Sequence, residues 1–358
     1  MLTTSRHCRR ELNRTRAGST RSKANDLKTI KILWKPGSFR VQWRHGNKAM
    51  SVRLEMLQVA RLAPRMLADS TDCVRTFTAS QQNADGGFKD RSGNSDLYYT
   101  VFGSACLAAL EMPMALEKML RFLEDFGDGD GLDLVHLCGL ARCWASVLTP
   151  RDTTPSEIEW AAHGMPVARR RGLAAAIEKF RSSDGGYNAL PRAHYGTAYG
   201  GFLALAAYQD LGLAMPDAMR MVAALKILET GDGAWANERR MQSGSTNATA
   251  AAVTLLRHLN MPIAAGTDAW LLARAHPQGG FVASPEVPLP DLLSTATALH
   301  ALRGLETPLG FIQEQCLDFI DSLWTNEGSF HAHWQEDLLD IEYTFYGLMA
   351  LGHLSLKG

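Results

Sequence analysis

The chain has 358 residues, 46% of them apolar, with eight tryptophans and a formal charge of zero, which is enough apolar mass for a large core. No uninterrupted apolar run approaches the roughly 20 residues that a membrane span needs, and no apolar stretch of a secretory signal opens the chain. The six cysteines are scattered without a CxxC pair, so a zinc knuckle or disulfide framework is set aside in favour of reduced thiols and a cytoplasmic location.

Residues 1–49 read as a basic, disordered extension. Its first 48 residues hold thirteen Lys or Arg against only Glu11 and Asp26, while the rest of the chain holds 24 against 35 Asp and Glu. The extension has no interleaved aromatic pattern, so no nucleic-acid partner is expected. A globular domain, 50–358, starts at Met50-Ser51-Val52-Arg53-Leu54.

Within that domain one pattern recurs. Asp85-Gly86-Gly87-Phe88 returns as Asp184-Gly185-Gly186-Tyr187, Asp232-Gly233-Ala234-Trp235, Gln278-Gly279-Gly280-Phe281 and Glu327-Gly328-Ser329-Phe330. A degenerate copy, Asp130-Gly131-Leu132, fills the long first interval, which a Pro-containing insertion near 150–166 stretches further. Six units follow, each a glycine turn, an aromatic, a polar loop and an Ala-rich helix. The glycines permit positive φ, and the aromatic is expected to pack between neighbouring repeats.

The Ala-rich helices, 98–110, 197–208, 248–259, 292–305 and 343–354, are apolar on nearly every face. Between them, 114–126 and 311–323 carry a single apolar stripe. Helices buried all round and helices striped on one face describe two concentric layers. The fold class is therefore all-α, a toroid of six helical hairpins closed into a barrel.

Asp96, Asp291 and Asp340 each precede a threonine (Thr100, Thr295, Thr344) by four residues, where an aspartate caps a helix. Six helix N-termini at one rim favour an anion such as a diphosphate, above an apolar, aromatic-lined cavity.

The run Gln82-Asn83-Ala84-Asp85-Gly86-Gly87-Phe88, with Ser95-Asp96-Leu97-Tyr98-Tyr99-Thr100 after it, resembles the prenyltransferase and squalene-cyclase repeat. The resemblance spans roughly 70–356, and the single-barrel length is most like the β subunit of protein prenyltransferases, the type-2 geranylgeranyl enzyme in particular. It implies an isoprenoid diphosphate or other apolar ligand, a helical-repeat α-like subunit as partner, and a zinc held by Asp, Cys and His. Asp291 stands at the Asp position, but Leu293 replaces the Cys and Tyr343 the His. One ligand of three remains, so the cofactor is left open and a conventional thiolate-activating zinc is not expected. The acid motif Asp-x-Asp-Asp of triterpene cyclases is absent; the nearest stretch is Asp291-Leu292-Leu293-Ser294-Thr295.

The candidate catalytic residues are Asp291, Tyr343 and Asp340. Asp291, Asp340 and Asp96 are equally read as helix caps, and Tyr343 as core. Substrate-binding candidates are His194, Arg239, Arg240, Asp96, Tyr99, Tyr199 and Tyr346, with Arg239 and Arg240 standing in for the diphosphate cations that 284–289 lacks. His331 and His333, beside Glu336 and Asp337, form a weaker metal candidate, and Asp128 and Asp130 read as turn residues. The leading function is prenyl transfer without the usual zinc site. A non-catalytic toroid that binds a lipid or partner protein, a terpene cyclase-like enzyme, and a helical-barrel glycoside hydrolase are the alternatives.

Overall fold

Every inner helix begins where a short oxygen-bearing side chain leads a run of small and apolar residues. In the computed structural model, which describes residues 44–45, 48–148 and 164–356, Asp96, Asp133, Thr197, Ser245, Asp291 and Asp340 each accept a hydrogen bond from the backbone N–H three residues on, at 2.7–3.2 Å. One of the orphan N–H groups of each first turn is thereby satisfied. The residues 1–43 and 149–163, which contain most of the basic extension and of the Pro-containing insertion, lie outside the described residues.

The threonine four positions after the cap ties the glycine turn to its helix. Thr100 Oγ1 donates to the Asp96 carbonyl at 2.6 Å and accepts from Phe88 N–H at 2.9 Å. Thr295 repeats this with Asp291 and Phe281. Phe88 pairs with Asp96 and Phe281 with Asp291 in two-residue antiparallel hairpins, so turn, cap and helix form one hydrogen-bonded unit.

Past an entry helix, α1 (Val52–Ala60), outer and inner helices alternate. The outer ones are α2 (Thr71–Ser80), α4 (Leu116–Glu124), α6 (Val167–Glu178), α8 (Ala218–Lys226), α10 (Thr267–Leu272) and α12 (Gln313–Leu323). The inner ones are α3 (Leu97–Ala109), α5 (Leu134–Leu148), α7 (Ala198–Asp210), α9 (Thr246–His258), α11 (Leu292–Gly304) and α13 (Ile341–Ser355). Each inner helix packs on the next, and α13 packs back on α3 to close the ring.

Two of the turn aromatics are seated on the inner helix of their own repeat. Phe88 and Phe330 are fully buried against Gly103 and Gly347 of the inner helices that follow them, where a missing Cβ makes room for the ring. The glycine makes the join to the next repeat. Gly279, at φ 92°, backs onto the Gln315 carbonyl of α12, and Gly328, also at φ 92°, onto the Cys73 carbonyl of α2. A side chain at either position would collide with backbone and sit in a left-handed conformation that L residues rarely adopt.

All inner helices run the same way, so their N-termini share one rim and their C-termini one floor. The floor is covered by α1, which packs against α3, α7 and α13. Buried Glu55 anchors it, meeting Arg257 Nη1 at 2.9 Å, His258 Nε2 at 3.0 Å and His300 Nε2 at 3.4 Å. Burial pushes the Glu55 carboxyl up, but its partners outweigh that and hold it well below the usual carboxylate range. Burial pushes His300 down to about 4, and His353, 3.1 Å from it, down as well.

Among the described residues Cys106, Cys138, Cys143 and Cys316 are buried free thiols, and no helix is long and apolar enough to cross a membrane. Removing one partner of a buried ionic cluster leaves the others uncompensated, so Glu55→Ala is expected to cost about 3–5 kcal/mol in a denaturant melt. With Glu55 depressed and His300 lowered from its ordinary 6.5 to about 4, the unfolded chain takes up protons first. Stability therefore falls as pH drops below about 6.5, which a melt series from pH 7 to 4 measures.

Candidate functional site

The barrel is not filled by its own side chains. A cavity of about 420 Å³ lies between α1, α3, α5, α7 and α13, within the roughly 300–1,000 Å³ range typical of small-molecule sites. Tyr98 and Ala108, ten residues apart on α3, both line it, which gives a depth of about 15 Å at the helical rise.

Toward the N-terminal rim the walls are aromatic: Tyr98, Phe102, Tyr199, Phe202, Phe345 and Tyr346. Tyr98 meets Phe102 edge-on at 5.0 Å, and Phe102 meets Tyr346 at 5.5 Å. Tyr199 is 42% exposed although it lies on an inner helix, because it faces the cavity.

At this aromatic end Tyr98 O–H donates to Glu342 Oε1 at 2.5 Å. Glu342 is only 8% exposed. Burial pushes its carboxyl up to about 7, with the Asp340 charge adding to the rise, while the Tyr98 bond and the Arg91 charge pull the other way. A carboxyl poised near neutrality beside an apolar chamber is suited to giving and taking a proton. Burial raises the Tyr98 and Tyr346 phenols far enough that both stay protonated.

Around this pair the rim is acidic. Asp340 holds Arg91 Nε at 3.0 Å, with Glu336 3.5 Å from the same guanidinium. His136 sits between Asp96 at 3.1 Å and Asp133 at 2.9 Å. The bond to Asp96, with that to Asp133, lifts His136 to about 9 against the opposing effect of burial.

The residues singled out from the sequence divide into three groups. Tyr199 and Tyr346 line the cavity. Tyr99, Asp340 and Tyr343 gather on the rim around Arg91, which lies 6.0 Å over the Tyr343 ring, and Asp96 caps α3 beside them while holding His136. Asp291 caps α11, accepting from Ser294 N–H at 2.7 Å, and burial raises its carboxyl; it is not among the residues lining the cavity. His194, Arg239 and Arg240 are exposed on loops, with Arg239 stacked 4.3 Å over Tyr195. Sequence reasoning missed Tyr98 and Glu342. The available signal was an acidic residue between the Asp340 cap and a helix read as buried on every face, a position where a carboxyl is rarely buried without a partner.

A zinc ion does not suit these side chains. Leu293 offers no donor, burial keeps the Tyr343 phenol protonated, and Asp291 Oδ1 already caps its helix. Among the described residues no group of three or more His, Cys, Asp and Glu is arranged to hold a metal.

The sequence model of the prenyltransferase alpha-alpha toroid domain matches residues 43–136 and 249–356. No curated protein matches the chain. Among solved structures, a variant of the type II terpene cyclase MstE from Scytonema, in complex with geranylgeranyl dihydroxybenzoate as substrate, is similar at 16% identity and a TM-score of 0.52. The match covers 84% of this chain and 98% of that one. Candida albicans protein geranylgeranyltransferase-I complexed with GGPP is similar at 12% identity and a TM-score of 0.56, over 78% of this chain and 89% of that one. At such identities the likeness is one of fold.

Proton NMR of the imidazoles checks the rim electrostatics: one histidine titrates near pH 9 in the wild type, and Asp96→Asn brings it down. Because the shift is upward, the stability that His136 contributes is full below about pH 6.5 and is lost as pH rises through about 9.

Proposed function

Since this chain belongs to the prenyltransferase alpha-alpha toroid family, we propose that it takes a prenyl chain into the barrel and cyclises it by protonation, with Glu342 as the acid. The observation that carries this reading is the hydrogen bond by which Tyr98, in the wall at the aromatic end of the cavity, holds the buried Glu342 carboxyl directly behind that wall.

Tyr98 occupies Oε1, which leaves Oε2 to bear the proton. Glu342 Oε2–H transfers that proton to the terminal carbon of the last C=C bond. The carboxylate is left behind on the enzyme, stabilised by the Tyr98 O–H, and the adjacent carbon becomes a tertiary cation. The next alkene attacks that cation, forming a C–C bond and moving the positive charge along the chain. Loss of a proton from carbon to water ends the sequence and gives an isomer of the substrate; a second water reprotonates Glu342. The ring faces of Tyr98, Phe102, Tyr199, Phe202, Phe345 and Tyr346 offer negative electrostatic potential to each cation, and the apolar walls exclude water that would quench it.

Prenyl transfer is the competing reading, supported by the fold likeness to a geranylgeranyltransferase. It requires cations at the rim for a departing diphosphate. Asp96, Asp133, Glu336 and Asp340 oppose such a group there, and the nearest cations, Arg91 and His136, are already paired with them. A non-catalytic lipid carrier would have no use for a carboxyl held near neutrality.

Incubation with farnesyl- and geranylgeranyl-bearing substrates in D₂O tests the proposal by mass spectrometry. Cyclisation yields a product isomeric with its substrate and one deuterium heavier. Glu342→Gln is expected to lower turnover by about 10²–10⁴-fold with little loss of binding. Release of diphosphate, or full activity in Glu342→Gln, would overturn the reading. Only the protonated acid works, so turnover is expected to be flat below pH about 7 and to fall roughly tenfold per pH unit above it.

A further inference from the structure

Helix α1 is both the cover of the floor and a wall of the cavity. Its Leu54, Met56, Leu57 and Gln58, with Arg61 just past its end, line the chamber. Apolar side chains that border a chamber have no packing partners on that side, so they hold a helix less firmly than a filled core does. Under Val59 the seat is flat: α13 presents Gly352, where a Cβ would lie 2.0 Å from the Val59 carbonyl oxygen.

Polar contacts supply much of the fastening. Val52 N–H donates to Gln209 Oε1 at 2.9 Å, and Arg53 Nε meets Asp210 Oδ1 at 3.0 Å. Glu55, 3% exposed, reaches Arg257 and His258 of α9 and His300 of α11. Arg61 Nε donates to the Ala108 carbonyl of α3 at 3.4 Å, a long bond. A buried ionic cluster stabilises a fold no better than apolar packing of the same volume, and its best-attested use is to fix one arrangement against another. Segments short of packed apolar contacts are also the ones that open locally.

The cavity reaches the surface beside α1. The turn that follows Ala108 and leads into α4 lines it with Pro113, Met114 and Leu116. Pro113 is exposed, and Leu116 is 48% exposed although it borders the chamber.

We propose that α1 is the gate of the cavity: it moves away from the turn between α3 and α4 to admit an apolar ligand, and Glu55 is the latch that reseats it. This rests on the reading of the cavity as a ligand site, not on the chemistry at Glu342. It gives the Glu55 cluster a part in ligand entry as well as in stability.

Cysteine reactivity tests the gate without a ligand. Cys138 lines the cavity and is 4% exposed, while Cys106 and Cys143 are 0% exposed and lie outside its lining. The full-length chain is treated with 4,4′-dithiodipyridine, which exchanges with each thiol to give a mixed disulfide and one thiopyridone. Tryptic mapping follows the three sites separately, since cleavage after Arg142 divides Cys138 from Cys143. Cys138 is expected to react at least about tenfold faster than the other two, and at least about tenfold slower than in the denatured chain. Glu55→Gln is expected to speed Cys138 by at least about tenfold and to widen its lead over Cys106 and Cys143. Glu55→Asp, which keeps the charge, falls between, and Leu116→Trp, which narrows the opening, slows Cys138 in either background. A thermal melt checks that each variant is folded.

Equal rates at the three cysteines would mean that access comes only through global unfolding, and would overturn the gate. A wild-type Cys138 as reactive as in the denatured chain overturns it too, because the cavity then stands open. So does a Cys138 rate that Glu55→Gln leaves unmoved. These rates do not depend on turnover, so failure of the gate and failure of the cyclisation reading are told apart.

Discussion

The ring has to close, and the contact between its sixth and first repeats is the constraint on which the rest depends. Gly328 seats on the Cys73 carbonyl of α2, α13 packs on α3, and Arg91 of the first loop reaches Asp340 and Glu336 of the last. The same seam brings Tyr98 and Glu342 together across 244 residues of sequence. Six hairpins in an open arc would leave α3 and α13 each with an apolar flank in water. Closure buries both and creates a chamber whose most reactive group lies on the joint. The Arg91 bridge is partly exposed and contributes modestly; apolar burial between α13 and α3 carries most of the energy.

Parallel alignment of the inner helices then sets the charge of each end. Six N-termini at one rim attract carboxylates, and four of the six caps there are aspartates. A full negative charge on each cap exceeds the roughly half charge of its helix terminus, so the rim is acidic once the helices are capped. That reverses the expectation of an anion site drawn from the bare dipoles. It also accounts for Glu342, which sits next to Asp340 in a dry position and keeps its proton to near neutrality. At the floor the carbonyl ends call for cations, as Arg61 on the Ala108 carbonyl shows.

The fold was legible because its determinants are local. Glycine turns, capping residues with threonine four positions on, and Ala-rich stretches apolar all round each report a feature of one repeat, and six copies reinforce one another. Inner helices read from the sequence agree with the observed bounds to within a few residues. The site was less legible because it belongs to no single repeat. Tyr199 and Tyr346 could be chosen as inner-helix aromatics, but nothing local marks Tyr98 as the partner of Glu342. The capping role of Asp96, Asp291 and Asp340 was visible, whereas the pairing of Asp340 with Arg91 depends on closure. The covering helix α1 gave no signal beyond the domain start read at Met50-Ser51-Val52-Arg53-Leu54, since its partners Arg257, His258 and His300 are some two hundred residues away.

The protonation state of Glu342 tests the account most directly. Carboxyl ¹³C NMR of the ¹³C-glutamate-labelled chain, with Glu342→Gln to assign the resonance, follows that group through a titration. The account predicts a carboxyl that is protonated at pH 6 and titrates near 7. A Glu342 signal already ionised at pH 5 would contradict it, leaving a capped and charged rim with no acid to act on the chamber below.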